Sequence, residues 1–275
     1  MSTVNLFFLL AFAPLTLLGK LPKNLQTDQL VAWCVVPFDA KKRGPQARAE
    51  ILTKLGLKRC AYDWRDRHVP EFEEEIRQYQ KHQIEFFAFW GVHDKAFQLF
   101  EKYKLKPQIW KMLPRLEKGS QQERVKAGAN AMESLAKRTA MMGSKLGLYN
   151  HEGWSGEPAN LVAVCRELKR RGYDHVGIVY NWHHGHGHIE DWEESLALMK
   201  SYLFCLNLNG MNTDAKPKIL SLGKGQHDLV MLRTLIKSGY NGPVGIIDHR
   251  IDLDSEVALQ RNLDGLSGLN KSINQ

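Results

Sequence analysis

The sequence feature that most constrains the fold is an alternation of short apolar segments with longer amphipathic segments, repeated eight times. The short segments are rich in β-branched and aromatic residues, as buried strands are. The longer segments place apolar residues three or four positions apart, as helices do. The predicted strands are Leu30–Pro37, Arg59–Trp64, Ile84–Trp90, Gln108–Leu113, Lys145–Tyr149, the apolar start of His175–Glu190, Phe204–Leu208 and Gly242–Ile247.

Between these strands, apolar residues recur at helical spacing. The predicted helices are Gln46–Leu57, Pro70–Gln83, Lys95–Tyr103, Gln121–Met142, Pro158–Arg171, a segment around Trp192–Leu203, a segment around Leu229–Ile236, and about Ser255–Leu269. Eight strand–helix units in about 250 residues predict an α/β fold, a single (β/α)8 or TIM barrel. The alternative is an open doubly wound sheet, but no glycine-rich phosphate turn follows the first strand. No low-complexity linker interrupts the pattern, so residues 28–275 are expected to form one domain.

Residues 1–19 form an apolar leader before the barrel. Positions 2–19 carry no charge, and the apolar core Leu6–Leu18 is short for a membrane span. Such a segment is typical of a signal peptide, although no Lys or Arg precedes it and Leu17 stands where a small residue is preferred. We expect an exported protein, periplasmic or extracellular. The alternatives are an uncleaved membrane anchor, or a start codon set too early in the gene of a cytoplasmic protein.

The net charge of +8 indicates a basic surface. Such a surface attracts phosphates, acidic sugars or nucleic acid. The Lys and Arg residues are scattered rather than gathered in one stripe, which argues against a nucleic-acid site.

The four cysteines do not form a redox or zinc motif, because no two of them have C-x-x-C spacing. Cys34, Cys60, Cys165 and Cys205 each lie in a predicted apolar strand or helix. Buried, inert thiols are therefore expected, and a Cys34–Cys60 disulfide is the alternative.

The stretch His175–Glu190 is the richest in functional side chains. Its apolar strand closes on Asn181 and then on four histidines separated by glycines. In a barrel of this type the active site forms at the carboxyl ends of the strands. We therefore expect His183 and His184 in the mouth of the barrel, and the two histidines that follow in a solvated loop outside it.

Polar or aromatic residues also stand at the ends of the other predicted strands. In chain order they are Asp39, Asp63 and Trp64, Trp90 and His93, Lys111, Glu152 with Trp154, Asn207 and Asn209, and Asp248 with His249. Asp63 is interpreted as an ion pair with Arg65 that supports its loop. The tryptophan faces suit stacking against a sugar, and suit packing equally well.

A glycine-flanked lysine follows the seventh strand, where barrels commonly bind phosphate. Lys224 lies between Gly223 and Gly225 in the loop Leu220–Gln226. Lys224 or Lys111 is therefore a candidate to meet an anionic substrate.

This pattern resembles the xylose isomerase-like barrel superfamily of sugar (phosphate) isomerases and epimerases. The resemblance covers nearly the whole chain after the leader. Glu152 stands where that family has a metal-binding Glu at the fifth strand, and Asn181–His184 lies on its Asp-x-x-His. Asn207–Asn209 lies where the family has histidine ligands, and Gly239–His249 is similar to its Gly-Tyr-x-Gly lead into the eighth strand.

The chain departs from the family at its metal ligands. Asn181 and Asn207 replace Asp and His, and the expected last Glu is displaced to Asp248. Neutral amides are poor ligands for a transition metal. The resemblance implies a divalent ion (Mn, Mg, Co or Zn) on Glu152, His184 and Asp248, held more weakly than in the family. A metal-free site is the alternative.

The resemblance also implies proton transfer next to a sugar carbonyl, with Glu152 as the base and Asp248 as the second acid–base group. The expected ligand is a small sugar or sugar phosphate. The substrate-binding candidates are Asn181, His183, His184, Asn209, Lys111, Lys224, Trp90 and Trp154. Two alternatives are a non-catalytic carbohydrate-binding barrel and an apurinic endonuclease-like phosphodiesterase, which needs a zinc cluster with many ligands.

Overall fold

The computed structural model describes residues 21–151, 153–247 and 249–275, and within them eight parallel strands close into a barrel in chain order. The strands are β1 (Val31–Trp33), β2 (Arg59–Tyr62), β3 (Glu85–Trp90), β4 (Gln108–Lys111), β5 (Leu146–Tyr149), β6 (Val176–Asn181), β7 (Leu203–Leu208) and β8 (Val244–Ile247). The helices are α1 (Pro45–Lys54), α2 (Phe72–Lys81), α3 (Asp94–Lys102), α4 (Gln121–Met142), α5 (Pro158–Arg170), α6 (Trp192–Met199), α7 (Asp228–Lys237) and α8 (Ser255–Ile273). The predicted TIM barrel is confirmed.

Local sequence explains why α4 has its predicted limits. The Ser120 hydroxyl accepts a hydrogen bond from the amide of Glu123, and the Glu123 carboxylate accepts one from the amide of Ser120. This capping box supplies partners for backbone groups that the first turn leaves open. Gly143 ends the helix in the left-handed conformation, at φ +67°.

Strand β1 is shorter than predicted. The apolar run predicts a strand to Pro37, but Cys34 has φ +63° and the strand stops at Trp33. A left-handed residue cannot continue a strand. The consequence is functional, because Trp33 stands at the carboxyl end of β1 rather than in its middle.

Two apolar layers surround the strands. The outer layer lies between the strands and the helices, and the inner layer fills the barrel with Trp33, Phe87, Trp110, Tyr149 and smaller residues. Both layers are expected of a (β/α)8 barrel, whose interior is packed rather than open.

A buried ion pair ties α1 to α2. The Arg48 guanidinium donates to the Glu75 carboxylate and to Glu71, and Arg48 and Glu75 are 1% and 0% exposed. A buried charge is tolerated only when it is paired in this way. Near the amino terminus, the Asn24 side chain donates to the carbonyls of Tyr240 and Gly242, which ties this segment to the chain leading into β8.

All four cysteines are buried, as predicted, and the alternative Cys34–Cys60 disulfide is not formed. In the part of the chain that the structure describes, no helix has the length and apolar character needed to cross a bilayer. The predicted leader, residues 1–19, lies outside the described residues.

Candidate active site at the carboxyl end of the barrel

A cavity of about 130 Å³ lies where the carboxyl ends of the strands converge, and we call it the axial cavity. Among the described residues its lining combines aromatic rings, imidazoles and one carboxyl group. The lining residues are Trp33, Cys34, Phe38, Asp63, Arg65, Trp90, Tyr149, His151, His184 and His249. This is the end of the barrel at which TIM-barrel enzymes place their active sites.

Aromatic rings form one wall of the axial cavity. The ring centroids of Trp90 and Tyr149 lie 4.5 Å apart, and those of Trp33 and Trp90 lie 5.9 Å apart. Beneath them Trp110 meets Trp33 edge to face at 4.9 Å. The packing holds the rings rigid, so they offer a preformed apolar surface to a ligand.

Asp63 provides the carboxyl group. It directly follows β2 and is 3% exposed, and its Oδ1 has no hydrogen-bond partner among the described residues. Burial raises the pKa of Asp63 to about 7, although the charge of Arg65 and the backbone amide of Val36 favour the ionised form. The expected ion pair is not formed, because the exposed Arg65 guanidinium lies 5.4 Å from the centroid of the Phe38 ring.

Four imidazoles adjoin one another at the rim of the cavity. The ring centroid of His184 lies 4.4 Å from that of His151 and 4.3 Å from that of His183. Nε2 of His183 lies 3.4 Å from Nδ1 of His249. Burial, reinforced by neighbouring positive groups, lowers the pKa of His183 to about 3 and that of His184 to about 2. Both rings are therefore neutral at ordinary pH.

A second cavity of about 280 Å³ lies beyond the histidines, and we call it the outer cavity. It is lined by His151, Gly153, Gly156, Glu157, His183, His184, His186, Gly187, His188, Ala215 and Lys218. His151 and His184 line both cavities, so the two adjoin. His186 and His188 are both half-buried, and they line the outer cavity but not the axial one.

The structure brings some of the predicted site residues together. Trp90 lines the axial cavity, His183 lines the outer one, and His184 lines both. The two predicted catalytic residues, Glu152 and Asp248, lie outside the described residues, and their roles stay predictions.

The other predicted substrate-binding residues do not line either cavity. Trp154 donates through its indole Nε1 to Gln121 of α4 at 2.7 Å. Asn209 is buried and donates to the carbonyl of Gly210, while its Oδ1 has no partner among the described residues. Lys111 is the half-buried last residue of β4.

The asparagines at two ligand positions of the family pair with each other. The Asn207 amide donates to Oδ1 of Asn181 at 2.6 Å, and both residues are fully buried. A Cβ on Gly245 would lie 1.9 Å from Oδ1 of Asn207, so this position of β8 must be glycine for the pair to fit. The pair contributes no charge to the site.

The glycine-rich loop after β7 is organised by a carboxylate of the chain itself. Asp228 is fully buried and accepts hydrogen bonds from the backbone amides of Met211, Gly223 and Gly225, at 2.6, 2.7 and 2.9 Å. The two glycine amides are therefore already occupied. Lys224 between them is exposed.

The described residues fit the implied metal only in part. Among them no three His, Cys, Asp or Glu side chains converge on one point, and two of the three predicted ligands are not described. His184 suits a ligand, because its buried Nδ1 has no partner among the described residues and its ring is neutral. The paired Asn181 and Asn207 amides add nothing to a metal-binding set.

Trp33, Tyr149 and His151 are among the lining residues that the sequence does not predict. The apolar pattern places Trp33 in the middle of a strand, because nothing in the sequence reveals the left-handed conformation of Cys34 that ends β1. Tyr149 is the last residue of β5 and His151 follows it by two positions. The family resemblance singles out their neighbour Glu152 instead. Tyr149 and His151 both stand within two positions of a strand end, and that position is the sequence signal that marks them.

The fold is that of the xylose isomerase-like barrels, as the sequence resemblance predicted. No protein-family model matches the chain, and no curated protein matches it in sequence.

Solved structures, sugar epimerases among them, share the fold. One is the 3-keto-D-glucoside 4-epimerase YcjR from E. coli, with a TM-score of 0.65 and 13% identity over 88% of this chain and 98% of that one. Another is the IolI protein with a bound zinc atom, with a TM-score of 0.68 and 16% identity over the same shares. A third is D-psicose 3-epimerase from Clostridium cellulolyticum H10 with D-tagatose, with a TM-score of 0.62 and 11% identity over the same shares.

Proposed function

We propose that this barrel binds a small sugar in the axial cavity and moves a proton on a carbon next to the sugar's carbonyl, as an isomerase or epimerase does. The observation that carries the proposal is the buried carboxyl of Asp63 in a cavity walled by aromatic rings. The solved neighbours support it, because structures with D-tagatose and D-allulose are known on the same fold.

The aromatic wall would bind the sugar. The C–H faces of a sugar ring are apolar, and they pack on the faces of aromatic rings. Trp90 and Tyr149 present such a surface beside the polar rim of imidazoles. A site of this kind, mostly apolar with a few convergent polar groups, is typical of small-ligand pockets.

Asp63 would supply a proton to a sugar oxygen. With a pKa of about 7, its carboxyl is protonated in a large fraction of the molecules at neutral pH. A neutral carboxylic acid in an apolar cavity can donate to an oxygen that gains negative charge. In this proposal Glu152 and Asp248 act on the carbon-bound proton, one removing it and the other returning it.

His184, Glu152 and Asp248 would hold a divalent metal when one is bound. The metal would supply a positive charge that stabilises the enediolate oxygens. His183 stays a candidate for binding hydroxyls because it lines the outer cavity, whereas Asn181, Asn209, Lys111 and Lys224 line neither cavity. A neutral sugar is favoured over a sugar phosphate, because Asp228 already occupies the loop amides that would hold a phosphate.

A non-catalytic sugar-binding barrel is the second candidate. The neutral Asn181–Asn207 pair favours it, because the family's Asp and His metal ligands are replaced by side chains that bind each other. Solvent hydrogen exchange into the sugar separates the two candidates.

The test is deuterium incorporation from D₂O into ketoses and 3-keto-glucosides, followed by NMR. The wild-type protein is treated with chelator and then supplied with Mn²⁺, Co²⁺ or Zn²⁺, or with none. We expect deuterium at the carbon next to the carbonyl with at least one sugar. We also expect a loss of roughly 100-fold in rate for Asp63→Asn and for Glu152→Gln, which is the usual contribution of a general acid or base.

Asp264→Asn is the matched control, because Asp264 is an exposed aspartate on α8. It should exchange like the wild type. Sugar binding without any exchange would favour the non-catalytic barrel, and the absence of both would overturn the proposed function.

A further inference from the structure

The outer cavity has a composition unlike that of the axial cavity. Its lining contains no Trp, Tyr or Phe among the described residues, and it consists mainly of histidines and glycines with Glu157 and Lys218. It therefore offers hydrogen-bonding groups without an apolar face. A ligand group held here must be polar and need not stack.

Unpartnered polar atoms point to such a ligand. Nδ1 of His184 and Nε2 of His186 are buried and have no hydrogen-bond partner among the described residues. Buried polar atoms are nearly always paired, so one at a cavity wall that no described residue pairs is available to a polar ligand. Both residues line the outer cavity.

The charges at this wall do not favour an anion. Lys218 is exposed, and Glu157 carries the opposite charge and accepts from Nε2 of His188 at 2.9 Å. A neutral, hydroxyl-bearing group fits this balance better than a phosphate or a carboxylate.

The sizes of the two cavities indicate one extended ligand. Pockets that enclose a small molecule usually measure about 300–1,000 Å³. Neither the axial cavity, at about 130 Å³, nor the outer one, at about 280 Å³, reaches this range alone. Together they do, and they adjoin at the His151–His184 pair.

We propose that the outer cavity is a second sugar subsite, so that the ligand is a glycoside or disaccharide whose reacting ring lies in the axial cavity. This inference rests on the proposed function, since it assumes that the axial cavity holds a sugar. His184 would contact both units of the ligand, and His186 would bind hydroxyls of the outer unit.

The test compares monosaccharides with disaccharides that contain them, by isothermal titration calorimetry. The pairs are D-glucose with cellobiose and maltose, and D-galactose with lactose and melibiose. We expect at least one disaccharide to bind about tenfold more tightly than its monosaccharide, which corresponds to one or two extra hydrogen bonds.

Gly187→Leu blocks the outer cavity with little risk to folding. Gly187 has no heavy atom within 4 Å of a Cβ built on it, and its φ lies outside the left-handed region. The same holds for Gly268 on α8, so Gly268→Leu is the matched control. Gly187→Leu should bring disaccharide binding to within about twofold of the monosaccharide, and Gly268→Leu should leave the tenfold difference intact.

Two further variants assign the contacts. His186→Ala should weaken only the disaccharide, and Trp90→Ala should weaken both sugars because it alters the axial cavity. Equal affinity for both members of every pair, or a difference that survives in Gly187→Leu, would overturn the inference and leave the proposed function standing. A wild-type protein that binds none of these sugars would also overturn the inference, while the proposed function is judged by the exchange test with ketoses and 3-keto-glucosides.

Discussion

Asp63 shows how position alone changes the chemistry of a side chain. An aspartate in water is ionised well below neutral pH. At the end of β2 the same carboxyl is enclosed by rings and backbone, and burial raises its pKa to about 7. Arg65 is near in sequence but exposed, so its charge offsets little of this effect.

The raised pKa of Asp63 predicts a pH-dependent stability difference. Below about pH 4 the carboxyl is protonated in both the folded and unfolded states, so Asp63→Asn should match the wild type. Between about pH 4 and pH 7 the unfolded chain gives up this proton while the folded protein keeps it, so the wild type loses stability relative to the Asn variant, and the difference levels off above about pH 7. We expect the variant to be more stable by up to about 4 kcal/mol near pH 8, measured by urea unfolding across pH.

The difference in stability between the wild type and Asp63→Asn isolates the effect of Asp63, because both proteins contain the same buried histidines. Asp264→Asn, at an exposed position, should follow the wild type at every pH. A stability difference that does not change with pH would show that Asp63 titrates normally.

At the scale of elements, the α1–α2 contact depends on one buried ion pair. Arg48→Met would leave the Glu75 carboxylate buried without its partner, at a cost of about 3–5 kcal/mol. The double variant Arg48→Met/Glu75→Gln removes both charges and should recover most of that loss. Urea unfolding of the single and double variants measures both effects.

The Arg59–Glu85 ion pair is the natural comparison, because its side chains are 29% and 51% exposed. Arg59→Met should cost no more than about 1 kcal/mol. If Arg48→Met costs as little, the buried pair does not hold the two helices together.

The loop after β7 provides a second prediction at this scale. Asp228→Ala removes the acceptor of three backbone amides, which we expect to cost about 3 kcal/mol or more. Hydrogen exchange at the amides of Met211, Gly223 and Gly225 should accelerate, while that of α8 stays slow. Unchanged exchange at the two glycines would mean that the carboxylate does not organise the loop.

The sequence could predict the elements better than the site. The strands and α4 follow from local patterns and caps, so they were found to within a few residues. The early end of β1 could not be predicted, since one left-handed residue, Cys34, leaves the apolar pattern intact. The Asn181–Asn207 pair depends on two adjacent strands and on the space at Gly245, which no local pattern records.

At the scale of the whole molecule, the amino-terminal leader remains a proposal. We propose that residues 1–19 direct export and are removed. Asn24 already anchors the following segment to the chain near β8, so the barrel should fold without the leader. Cell fractionation and N-terminal sequencing should find protein outside the cytoplasm that begins near Lys20.

A leaderless variant that starts at Lys20 serves as the control and should stay in the cytoplasm, folded. Cytoplasmic protein that retains Met1, or secretion of the leaderless variant, would contradict the export proposal.

The aromatic wall gives the barrel an optical reporter at its own site. Trp33 and Trp90 line the axial cavity, and Trp110 lies against Trp33. Indole emission shifts in wavelength and intensity when water next to the ring is replaced, so a ligand that enters should change the fluorescence without any label. Unlabelled protein can therefore be screened in a plate reader against a library of sugars, without a separate activity assay for each sugar.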